Sequence, residues 1–133
     1  MNAVITYNEI SDIIEKRLRI RPDFTTIDTN TFDASYKPGF LMPTITIRFH
    51  VNNISQDVIS LSYKCSTAAA LMISGAIAYL EEKIPSGIEV NTGQKQIKIY
   101  PHRIKQMEKV LEYVTLSNIV FEDNTVNVGL TIA

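Results

Sequence analysis

The stretch ITIRFHVNNISQDVISLSY, residues 45–63, decides how this chain is read. Ile45, Ile47, Phe49 and Val51 alternate with Thr46, Arg48 and His50, the period-two pattern of a strand buried on one face. Turn-forming residues fill 52–57, and Ile59, Leu61 and Tyr63 then alternate with Ser60 and Ser62. Two such runs joined by a short polar segment predict a hairpin in an antiparallel sheet.

Working outward, Thr6 and Glu9 have the spacing of a capping box, with Ile10, Ile13, Ile14 and Leu18 as a stripe behind it. Lys16, Arg17, Arg19 and Arg21 crowd the far end and Pro22 stops it, so a helix is expected over 6–20. Phe24, Ile27 and Phe32 among Thr and Asp suggest an edge strand with a loop over 24–33, and Lys37-Pro38-Gly39 a turn. Downstream of the hairpin, Ser66 or Thr67 caps a second helix running to about residue 84. Ile88 and Val90 lead through Asn91-Thr92-Gly93 to Ile97 and Ile99, a second hairpin. Pro101 suits the first turn of a third helix with the stripe Ile104, Met107, Leu111 and Val114. Ile119 and Phe121, then Asp123-Asn124, then Val126, Val128, Leu130 and Ile132 predict a third hairpin.

The order helix-then-strands thus recurs three times. Placing residue 73 on residue 104 aligns Ile73 with Ile104, Leu80 with Leu111 and Gly87 with Asn118. The expected fold is α+β: an antiparallel sheet of five to seven strands, with three helices mainly on one face.

A length of 133 residues fits one domain over 1–133. Hydrophobic residues at 45% and charged residues at 20% exclude a disordered chain. Thirteen basic against fourteen acidic side chains leave a net charge of −1, so no global attraction draws the chain to nucleic acid. The single Cys65 excludes an internal disulfide. Residues 1–14 lack a basic start, so no signal peptide is expected and a cytoplasmic location is. The weakly polar run from Ala68 to Leu80 is too short to span a bilayer, so no transmembrane segment is expected.

Chemistry-bearing patterns are sparse. His50 and His102 have no metal-ligand spacing, and neither metal nor cofactor is expected. Asp28, Asn30 and Asp33 have the composition of a calcium loop, but Phe32 stands at a ligand position, so an Asx-rich turn is the expectation. Cys65, between a strand and a helix start, could act as a nucleophile only with His50 or His102 beside it. No catalytic residue is assigned. Two basic stretches are candidates for an anionic partner if they share a face: Arg17, Arg19 and Arg21, and Lys95, Lys98, Arg103 and Lys105.

The second helix stands out. Ile73, Ile77, Leu80 and Ile84 form one stripe, Met72, Ala76 and Tyr79 another, and Leu71, Gly75 and Ala78 fill much of the remainder. A helix apolar nearly all round is a buried helix. Its cover is either the flanking helices one and three, a second copy of the chain, or an apolar ligand. The functional expectation is a non-enzymatic binding or assembly module, homo-oligomeric through Leu71, Met72, Gly75, Ala76 and Tyr79 or through the strand edge at 24–33. A carrier of an apolar or lipid-like small molecule is the alternative, and a cysteine-dependent enzyme the third reading.

Overall fold

Thr6 starts the first helix as the capping box requires. The Glu9 N–H donates to Thr6 Oγ1 at 3.1 Å, and the Thr6 N–H donates to Glu9 Oε1 at 3.3 Å. In the computed structural model, residues 1–55, 57–80, 86–105 and 108–132 are described, without the side chains of 76–80. The elements are β1 (Asn2–Thr6), α1 (Tyr7–Leu18), β2 (Asp23–Asp28), β3 (Thr31–Tyr36), β4 (Ile45–Ile54) and β5 (Ile59–Lys64). They continue with α2 (Thr67–Leu80), β6 (Ile88–Asn91), β7 (Gln96–Ile99), β8 (Val114–Glu122) and β9 (Thr125–Ile132).

The strands form two antiparallel sheets, β1-β9-β8 and β2-β3-β4-β5-β7-β6. The 45–63 hairpin is present as β4 and β5, with Phe49 opposite Tyr63 and Val51 opposite Leu61. β5 and β6 both run antiparallel to β7, so α2 carries the chain from the end of β5 back to the start of β6.

The core lies where the two sheets face each other. Val51 and Ile59 of the larger sheet meet Phe121 of the smaller one, with Phe32, Leu61, Ile99, Leu116, Ile119 and Val126 around them. Each large side chain buried this way contributes about 1.5–3 kcal/mol. An aromatic row, Phe24, Phe32, Phe49 and Tyr63, crosses β2 to β5 at neighbouring register positions. The β2–β3 turn joins the layers: the Phe121 N–H donates to the Thr29 carbonyl at 3.0 Å, and the Val51 N–H to Asn30 at 2.9 Å.

Several expectations are corrected. There are two sheets rather than one. Two α-helices, not three, occur among the described residues. The expected third helix is replaced by short 3₁₀ turns at Pro101–Arg103 and Val110–Glu112, with Met107 outside the described residues. Ile104 is extended, at φ −86° and ψ 113°, and the Tyr100 N–H donates to the Gly87 carbonyl. That bond folds residues 100–104 back over Gly87, and Val114 is already paired with Ile132. Tertiary pairing overrides a helical stripe rich in β-branched residues. The threefold repeat goes with it, since Ile73 is helical where Ile104 is extended, and Asn118 adjoins a strand irregularity where Gly87 turns. In α1 the buried positions are Tyr7 and Ser11, while Ile13 and Leu18 are exposed. Residues 24–33 span most of β2, the turn and the first half of β3, with only β2 at the edge.

Candidate interaction surface

Ser66 caps α2: its Oγ accepts the Ala69 N–H at 3.1 Å. The helix packs against β4 through one side, on which Ala69 is buried and Ile73 half-buried. The other side faces outward. Leu71 is 71% exposed and Met72 43% exposed, and a Cβ built on Gly75 would meet nothing within 4 Å. With no third α-helix among the described residues, α2 is not the central member of a helical layer there. The Ala76 and Tyr79 side chains, and Glu81 to Ile84, lie outside the described residues.

A second apolar surface, at none of the expected site residues, lies away from α2. The loop between β3 and β4 carries Phe40 and Leu41 at 90% and 91% exposure, beside the exposed Met42. The Met42 N–H donates to the Gly39 carbonyl at 3.1 Å, closing a tight turn between Pro38 and Pro43. The signal was a run of three large apolar residues bracketed by two prolines and a glycine. Such residues belong at a tip rather than in a strand.

The expected strand edge is less open. β2 shifts register between Thr26 and Asp28, and Thr26 Oγ1 donates to the Glu122 carbonyl at 2.5 Å and bonds the Tyr7 hydroxyl. Bulges and side-chain staples of this kind blunt an edge against strand addition.

The outer polar face of the larger sheet holds a shallow concavity of about 420 Å³ lined by Asp28, Thr31, Arg48, His50, Ser62 and Lys64, with Ile27. Arg48 forks Asp33 with bonds of 2.8 and 3.1 Å. His50 Nδ1 and Thr31 Oγ1 are 2.8 Å apart. Asp28 accepts the Asn30 N–H at 2.9 Å, the expected Asx turn, and this bond foremost, then Thr31, holds its carboxyl below the usual range. No group of three or more metal-ligating side chains occurs among the described residues. Cys65 is half-buried between β5 and α2.

The two basic stretches lie at opposite edges of the larger sheet, with only Lys95 of the second at the same end of the strands as the first. Arg17, Arg19 and Arg21 end α1 beside β2, at one edge of the larger sheet, and Arg21 pairs with Asp12 at 2.5 Å. Lys95 and Lys98 belong to the β6–β7 hairpin at the other edge, with Arg103 and Lys105 just beyond it. Arg103 pairs with Glu89 at 3.6 Å and lies over the Tyr100 ring. Comparison with protein-family models, curated proteins and solved structures finds no match to this chain.

Proposed function

We propose that this chain is a non-enzymatic assembly module that self-associates through the outer side of α2. The observation that carries the reading is the exposure of Leu71 and Met72 on a helix without a charged residue from Thr67 to Leu80. Monomeric proteins rarely leave contiguous apolar surface of more than a few hundred Å² in water. Gly75 gives a partner helix close approach, and Tyr79 and Ala76 extend the same stripe in sequence. Three of the described concavities are lined largely by polar residues. The fourth, about 260 Å³, sets Leu111, Val114 and Leu116 beside Asp57, His102 and Thr115 and is open as well, so none of the four offers an apolar ligand an enclosed site.

The test is mass against concentration by analytical ultracentrifugation, for the wild-type chain and for Leu71→Glu and Met72→Glu. Association is expected at micromolar concentration and is lost in both variants. A wild-type monomer throughout that range ends the proposal, and so do variants that associate normally.

A further inference from the structure

The strand ends bring several basic side chains to one end of the larger sheet. Asp23 pairs with Ser35 and Tyr36 with Ile45, so the start of β2, the end of β3 and the start of β4 lie together at one end of the larger sheet. Lys64 closes β5 at that end, and Lys95 joins it in the β6–β7 turn, where its carbonyl accepts the Tyr63 N–H at 3.0 Å. α1 arrives at the same end, because Arg19 and Arg21 lead directly into Asp23.

This end carries Arg17, Arg19, Lys37, Lys64 and Lys95, besides Arg21, which faces Asp12, Glu15 and Asp23, and Arg48, which pairs with Asp33. The opposite end carries Asp28, Asp57, Glu122 and Asp123 in its turns, together with Arg103 and Lys105, which follow β7 there. From Ala34 to Leu80 the chain has one acid, Asp57, and it belongs to that opposite end. A net charge of −1 conceals this local basic excess. The loop bearing Phe40, Leu41 and Met42 projects from the basic pole, with Lys37 at its base.

We infer that this pole docks on an anionic lipid bilayer. Phe40 and Leu41 enter the boundary between headgroups and acyl chains, while Lys37, Arg19, Lys64 and Lys95 face the anionic headgroups. Apolar insertion and basic attraction together are the two signals that hold a peripheral protein at a membrane. Two other occupants fit less well. Single-stranded nucleic acid rewards stacking platforms, and of the three tip residues only Phe40 is aromatic. A second copy related by a twofold axis sets this cationic pole against itself. The inference stands apart from self-association through α2, since it uses a different loop and different residues.

The experiment is co-sedimentation with phosphatidylcholine vesicles, with or without about one-third phosphatidylserine, at about 50 and about 300 mM salt. The wild-type chain is expected to bind the anionic vesicles only, and less at the higher salt. The double variant F40S/L41S should bind about tenfold more weakly or worse. Its melting temperature and its mass against concentration should match wild type, because both side chains are almost fully exposed. Lys37→Glu should weaken binding while leaving the apolar tip intact. No binding to anionic vesicles overturns the inference, as does undiminished binding by F40S/L41S. Retention on a polyanion column without vesicle binding also overturns it, and marks the pole as a polyanion site.

Discussion

Phe32 of the larger sheet and Phe121 of the smaller one meet with ring centroids 4.8 Å apart and planes tilted by 51°. That pair couples the two layers, because Phe32 also stacks on Phe49 at 5.1 Å and Phe121 sits in the buried core with Val51 and Ile59. Phe121→Ala should remove the contact and leave a cavity, costing about 3–5 kcal/mol in urea-induced unfolding. Phe121→Leu should cost clearly less. Equal losses for the two variants would show that the ring's shape matters and its volume does not.

Gly87 has φ +101°, a conformation in which L side chains are strained. An added Cβ would also lie 2.9 Å from the Tyr100 carbonyl oxygen and 3.0 Å from Arg103 Cβ. Gly87→Ala should therefore destabilise by about 1–3 kcal/mol, measured by thermal or urea unfolding. An unchanged midpoint would mean that the 100–104 segment does not fold back over Gly87 as described.

What the sequence discloses follows from how local each determinant is. Thr6 and Glu9 are three residues apart, and the alternation from Ile45 to Tyr63 needs only its own hairpin, so both are read without error. β1 escapes notice because Ala3, Val4 and Ile5 gain their strand character by pairing with Val128, Asn127 and Val126 at the far end of the chain. The stripe Ile104, Leu111 and Val114 misleads because its spacing satisfies a helix while Val114 is claimed by Ile132. The α2 stripe is visible, but whether anything covers Leu71 and Met72 depends on a third helix, and the described residues have 3₁₀ turns in its place. Arg19 and Lys95 stand out in basic stretches, but that Lys37 and Lys64 share one end of the larger sheet with them depends on strand pairing.

Asp28 ties stability to pH. Its folded-state pKa lies below the ordinary carboxylate value, foremost because of the Asn30 N–H and then Thr31. A depressed folded value stabilises above the unfolded-state pKa, and that contribution fades as pH falls through the folded value. Asp28→Asn should therefore lower the urea midpoint at neutral pH, with the two curves converging at about pH 2. A gap of the same size at both pH values would assign the loss to geometry rather than charge.

Gly75 offers a substitution whose two readouts should move in opposite directions. A Cβ there meets nothing within 4 Å in the single chain, and a helix interior favours Ala over Gly. Gly75→Ala should thus stabilise the isolated fold by about 0.5–1 kcal/mol, seen as a higher unfolding midpoint at low protein concentration. If α2 approaches its partner at Gly75, the added methyl holds the helices apart and ultracentrifugation should show weaker association. Gain of stability with loss of association places Gly75 in the contact. Gain of both would move the contact toward Leu71 and Met72 alone, because close approach at Gly75 would then have no part in it.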